Sequence, residues 1–235
     1  MGFFDFINKI PPYSEKPEGD LRLNKRHQMI VEPFRGELDG ARVLDLAAHD
    51  GRWSYALAEA GAAQVIGIEA RQELVDRFER FPETDYKARV DLRQGDIFEA
   101  LEGFIKAGET FDVVAVFGIY YHIMDHFRLL QLIRKVGAKV VLIDSEFSVR
   151  KMPLIELVFE KTSIDLCAAP QMPGQERAII GIPSFTALNS MAKALDFDTV
   201  WTRSHEQFRE DKRGVQDYFR PEKKRRAFCA LIDRG

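Results

Sequence analysis

Two apolar runs joined by a tight loop and a helix constrain this chain more than any other feature. Val43-Leu44-Asp45-Leu46 passes into Ala47-Ala48-His49-Asp50-Gly51 and then Arg52-Trp53-Ser54, and Val65-Ile66-Gly67-Ile68-Glu69 follows. Near-continuous apolar runs suit strands covered on both faces, and small residues ending in glycine suit a sharp strand-to-helix turn. The pair reads as a βαβ unit, which places the chain on a parallel sheet.

The rhythm continues. Strands are predicted near 42–46, 64–69, 90–94, 111–117 and 139–144, with helices at 52–60, 71–80, 97–106 and 125–136. Residues 146–182 carry Pro153, Pro170, Pro173 and Gly174 among apolar runs, which predicts an insertion that shapes a substrate pocket rather than a further crossover. Ser184 caps a helix whose apolar face holds Phe185, Leu188, Met191, Ala192 and Leu195, and strands near 198–203 and 226–232 close the sheet as a terminal pair. Ahead of the alternation, residues 3–10 read as a short helix or arm covering apolar surface on this chain or a partner, and 21–35 as a helix leading to the sheet. The division is therefore an N-terminal arm and helix over 1–40 and one domain over 41–235, with its insertion at about 146–182.

Charge and cysteine usage narrow the partners. A formal charge of −3 offers no broad positive field for a phosphate backbone, so nucleic acid is disfavoured in bulk and only a local patch such as Lys223-Lys224-Arg225-Arg226 stays open. Cys167 and Cys229 lie far apart without metal-ligand spacing, so no metal site is expected, and no apolar run reaches the length of a membrane span. Met1 to Ile7 lacks the basic start and cleavage site of a signal peptide. A cytoplasmic setting is expected, without membrane contact. The apolar arm and the Pro-containing insertion leave a homodimer open.

The first loop carries the chemistry. Ala47 and Ala48 keep side chains small and Gly51 lets backbone approach a ligand near the next helix. Glu69 lies 24 residues after Asp45, about the separation at which an α/β nucleotide-binding unit offers a carboxylate to ribose hydroxyls. The competing reading is a strand-end carboxylate in water. Asp96, after the third strand, suits an adenine amino group with Ile97 against the ring, or simply a helix N-cap, and the two roles are compatible. A nicotinamide dinucleotide is disfavoured because its pyrophosphate needs Gly-x-Gly-x-x-Gly, which the loop lacks.

These residues resemble class I S-adenosylmethionine-dependent methyltransferases over roughly 40–145. The family's loop is usually Asp-x-Gly-x-Gly-x-Gly, and here Ala47 and His49 replace the first two glycines. The resemblance implies an α/β, Rossmann-like seven-stranded mostly parallel sheet with helices on both faces and an antiparallel C-terminal strand pair. It also implies S-adenosylmethionine as cofactor, held by Asp45, Ala47, Ala48, His49, Gly51, Glu69, Ala70, Asp96, Ile97, Phe117 and Gly118. Phe117-Gly118-Ile119-Tyr120-Tyr121-His122 further resembles a segment of the uridine-34 tRNA carboxymethyltransferase and its small-molecule relatives, with echoes at Ile182-Pro183-Ser184 and Lys224-Arg225-Arg226-Ala227. The tRNA enzyme's basic N-terminal segment has no match here, so plain methyl transfer to oxygen or nitrogen of a small-molecule acceptor is expected. Transfer to a tRNA base and a non-catalytic protein retaining the fold are the alternatives.

His122 and Tyr121 are the catalytic candidates. An imidazole titrates near neutral pH and can take the acceptor's proton, and His49 is the second choice of base. The plainer reading of His122 is a satisfied histidine bonded to a neighbouring loop. Tyr120 and Arg226 are candidates for substrate contact, although Tyr120 reads equally as packed inward, and Trp53 as core.

Overall fold

The computed structural model describes residues 2–15, 18–164, 166–170 and 172–235. Strands β1 (Arg42–Leu46), β2 (Gln64–Glu69), β3 (Val90–Gln94), β4 (Val113–Phe117) and β5 (Val140–Ser148) alternate with helices α3 (Arg52–Glu59), α4 (Gln72–Val75), α5 (Ile97–Ala107) and α6 (His126–Lys135). They follow α1 (Gly19–Ile30) and the short α2 (Arg35–Leu38). After β5 come β6 (Ile155–Lys161), β7 (Arg177–Pro183), α7 (Phe185–Lys193), β8 (Phe197–Trp201) and β9 (Lys224–Asp233). Seven strands form one sheet in the order β3-β2-β1-β4-β5-β9-β8. β1 to β5 are mutually parallel, and β9 runs antiparallel to both β5 and β8. The expected sheet and its terminal pair are thus present.

Alternate residues of a strand face opposite sides, and β4 shows why its sequence is apolar throughout. Val113, Ala115 and Phe117 join the layer containing α1 and α3, whereas Val114 and Val116 join the layer containing α5, α6 and α7. Each fully buried aliphatic side chain of this kind contributes about 1.5–3 kcal/mol. The N-terminal arm packs on its own chain. Phe4 and Ile7 are fully buried, and Phe4 meets Trp53 edge-on at 5.3 Å.

Two expectations are corrected. The helix predicted over 71–80 stops after α4, and Asp76–Arg80 is a 3₁₀ turn. That turn brings residues three apart to one side, so Phe78 and Phe81 meet at 5.3 Å and Phe81 also reaches Tyr55 at 5.4 Å. β5, predicted to end at 144, runs on to Ser148, because β9 supplies backbone partners for its polar end.

The insertion is a two-stranded ribbon outside the main sheet, β6 antiparallel to β7. Val158 pairs with the buried Ile180 and Glu160 with the buried Ala178 on one face, while Val158 itself and, on the other face, Leu157, Phe159 and Ile179 are exposed. Its base is tied to the domain where the Gly181 amide donates to the Ile123 carbonyl at 3.0 Å and His126 Nε2 lies 2.9 Å from the Gly181 carbonyl. No helix among the described residues is long and apolar enough to cross a membrane.

Candidate active site

The loop after β1 turns by placing three alternate residues in the left-handed region. Ala47, His49 and Gly51 have φ of 58°, 56° and 77°, and these are the positions where the family pattern has glycine. A Cβ at Gly51 would come within 2.6 Å of Leu92 and Phe78, so of these three positions it is Gly51 where packing as well as torsion demands glycine. Ala47 and His49 carry a torsional cost of about 1–2 kcal/mol each. Hydrogen bonds offset it. The Ala48 amide donates to the Ile68 carbonyl at 2.9 Å, and the Gly51 amide to the Ala48 carbonyl at 3.0 Å.

Glu69 closes this loop from the end of β2. It is 5% exposed, and its carboxylate accepts from the His49 amide at 3.0 Å and the Arg71 amide at 3.1 Å. It therefore does not point into water. Each oxygen retains a further lone pair, as ribose hydroxyls require. Asp45 lies beneath, accepting from Ser54 Oγ at 2.7 Å. Burial, reinforced by the nearby Glu69 charge, pushes its carboxyl up to about 7 against the Ser54 bond.

His49 Nδ1 accepts from the Asp50 amide at 2.8 Å, which fixes the ring as neutral. Burial first and the Arg52 charge second hold it below the ordinary histidine range. Asp50 is buried, and although burial alone would raise its carboxyl, the Arg52 charge and the Tyr13 hydroxyl hold it low. Arg52 Nε donates to Asp50 at 2.6 Å, and its guanidinium lies over the Tyr13 ring at 5.0 Å. The N-terminal segment thereby clasps the loop. Tyr13, Asp50 and Arg52 were not singled out by sequence, and for Tyr13 no local signal exists.

Asp96 is the N-cap of α5, accepting through Oδ1 from the Phe98 and Glu99 amides at 2.8 and 3.1 Å. Ile97 and Phe117 are buried, whereas Ala70 is exposed. At Gly118, with φ of 88°, the position of a Cβ has nothing within 4 Å. This open space lies at the carboxyl end of β4, where ligands of open α/β sheets bind.

Beyond β4 the candidates separate. Tyr120 is fully buried against His126 and Phe147, so it packs inward and is withdrawn as a substrate contact. Tyr121 accepts from Arg226 Nη2 at 3.0 Å. His122 lies against Tyr121 with ring centroids 3.9 Å apart, and its Nδ1 is 2.6 Å from Glu160 Oε2 on the ribbon.

Arg226 is itself buried. Its Nη1 reaches Asp144 at 3.2 Å and its Nε reaches Asp217 at 3.1 Å. Asp144 also pairs with Arg26 and accepts from the Tyr218 hydroxyl at 2.7 Å. Apart from Arg226, this charged core beneath Tyr121 escaped sequence reasoning. Asp144 had a signal, since it ends the apolar run Val140–Ile143 as Glu69 ends β2; Arg26, Asp217 and Tyr218 had none.

Residues 43–140 match the family model for the methyltransferase domain. Over that segment the chain is similar to methyltransferase domains. Its architecture is shared with solved structures at low identity. The N-terminal domain of EvdMO1, crystallised in the presence of SAH and D-fucose, gives a TM-score of 0.66 at 18% identity, covering 88% of this chain and 83% of that one. The glycopeptide N-methyltransferase MtfA gives 0.54 at 15%, covering 93% and 98%. Magnesium protoporphyrin IX methyltransferase from Synechocystis PCC 6803, with bound SAM, gives 0.53 at 14%, covering 91% and 82%. A Methanocaldococcus jannaschii protein provisionally named a ribosomal RNA large subunit methyltransferase is 35% identical over 92 residues, 38% of this chain and 23% of that protein. The matched segment thus spans under a quarter of that curated relative.

Proposed function

We propose that this chain is an S-adenosylmethionine-dependent methyltransferase acting on oxygen or nitrogen of a small-molecule acceptor. The observation that carries the reading is Glu69, buried at the end of β2 and bonded to the His49 amide of the left-handed loop. Carboxylate, loop and the open space at Gly118 suit an adenosyl ligand that has no pyrophosphate to cradle. Asp45 to Gly51, Glu69, Ala70, Asp96 and Ile97 would surround its nucleoside and methionine parts, with Phe117 and Gly118 nearest the reacting end.

Bound S-adenosylmethionine would supply an electrophilic methyl carbon for transfer to the acceptor's lone pair. The protein aligns the acceptor and receives its proton. His122 takes that proton, and Tyr121, fixed by Arg226, walls the acceptor space. EvdMO1 with D-fucose and the glycopeptide enzyme support a small or glycosylated acceptor, as does the formal charge of −3. Transfer to RNA is the second reading, favoured by the Methanocaldococcus relative and by the likeness of Gly118 to His122 to the tRNA carboxymethyltransferase.

Calorimetry with S-adenosylmethionine tests the cofactor. Hydrogen bonds to a charged group contribute about 1.5–3 kcal/mol, so Glu69→Ala should weaken binding by about ten- to a hundredfold. No heat with the unaltered protein, or equal affinity in the variant, defeats the proposal. Labelled methyl transfer to hydroxylated and amine-bearing small molecules, with transfer RNA as a second arm, separates the two acceptor readings. His122→Ala should then lower turnover with cofactor affinity unchanged.

A further inference from the structure

The ribbon contributes more than a wall. We propose that Glu160, carried on β6, positions His122 for proton transfer, an inference that rests on His122 being the base. Glu160 Oε2 lies 2.6 Å from His122 Nδ1 and accepts from the Ala168 amide at 3.1 Å. Although burial would raise this carboxyl, His122, the Ala168 amide and the Lys224 charge hold it below its ordinary range. It is therefore an ionised, acceptor-only group near neutral pH. Nδ1 must donate to it, and a neutral imidazole whose proton is on Nδ1 has a bare lone pair on Nε2. The same contact fixes the ring plane, since Tyr121 packs against one face.

The proton inventory closes. As the acceptor's electron pair bonds to the methyl carbon and the carbon–sulfur pair stays on sulfur, the acceptor's O–H or N–H proton passes to Nε2. The resulting imidazolium keeps its Nδ1–H on Glu160 and later releases the Nε2 proton to water. Without Glu160 the ring favours the opposite tautomer, as free histidine does, and its Nε2 carries a proton and cannot accept one. Glu160 is 38 residues from His122 in sequence, inside the insertion, so no local motif links them.

The test uses cofactor-free protein and the imidazole nitrogen resonances of His122. The unaltered protein should show the Nδ1–H tautomer with a downfield, exchange-protected Nδ1 proton. A charge-assisted hydrogen bond of about 1.5–3 kcal/mol corresponds to at least about a tenfold bias between tautomers. Glu160→Ala should therefore shift the ratio toward Nε2–H by tenfold or more, and Glu160→Gln, which keeps a carbonyl acceptor without its charge, should lie between. An Nε2–H tautomer in the unaltered protein, or a ratio unmoved in Glu160→Ala, overturns the inference. The heat of S-adenosylmethionine binding checks that each variant is folded. Its failure is distinct from failure of the base assignment: if His122→Ala retains methyl transfer, His122 is not the base whatever its tautomer, whereas an unmoved tautomer with an inactive His122→Ala withdraws Glu160 alone.

Discussion

Replacing Asp144 by Asn tests the charged core around Arg26 and Arg226 most directly. Asp144 is fully buried. Its Oδ2 accepts from Arg26 Nε at 3.1 Å and Arg226 Nη1 at 3.2 Å, and its Oδ1 from Tyr218 at 2.7 Å. Asn keeps the volume but removes the charge and turns an N–H₂ toward guanidinium donors. Removing one partner of a buried ion pair costs about 3–5 kcal/mol.

Two contacts soften the loss here. Arg26 lies over the Trp53 ring at 4.7 Å, a desolvated cation–π contact of about 2 kcal/mol, and Arg226 retains Asp217 and Tyr121. The expected destabilisation is about 3 kcal/mol at pH 7, or about 6–12 °C in Tm for a domain of this size. Urea unfolding should show a lower midpoint with an unchanged slope. The pH dependence fixes the cause. Burial raises the carboxyl, but Arg26, Arg226 and Tyr218 hold it below its ordinary range. Its stabilisation is full above about pH 4 and is lost as pH falls through the depressed native value, so the deficit of the variant should shrink in acid. A loss below about 1 kcal/mol at pH 7, or a deficit unchanged down to pH 2, refutes the reasoning.

Asp45 behaves in the opposite sense. With its native value pushed up to about 7, the native state holds a proton that the unfolded chain releases near pH 4, so stability falls as pH rises from about 4 to 7. Asp45→Asn should flatten that slope, by at most roughly 4 kcal/mol, in denaturant titrations across this range; a parallel curve sinks the assignment. Ala47→Gly should relieve the torsion at φ of 58°. Relief of about 1–2 kcal/mol less 0.4–1 for the freer unfolded chain leaves about 0.5–1 kcal/mol of added stability, read as a Tm about 2 °C higher, and a lower Tm contradicts it.

The sheet was legible because burial on both faces writes itself as unbroken apolar runs, as in Val113–Phe117. Where polarity enters a strand the signal fades. Ser145, Glu146 and Ser148 extend β5 only because β9 pairs with them and Arg220 and Lys224 meet Glu146 at 3.4 and 2.5 Å. At the site, strand-end carboxylates and the small-residue loop follow from local chain geometry, so Asp45, Glu69 and Gly51 could be read directly. Tyr13 with Asp50, and His122 with Glu160, meet only through folding across 37 and 38 residues. Neither spacing repeats a period or a motif, so nothing in the sequence announces them.

Beyond its base at Gly181, the insertion meets the domain at two further, separated points. Glu160 meets His122 beyond β4, while Arg71, two residues past Glu69, donates to the Cys167 carbonyl at 3.2 Å. The segment after β2 and the turn after β4, which lie apart on the sheet, are thus both tied to the insertion.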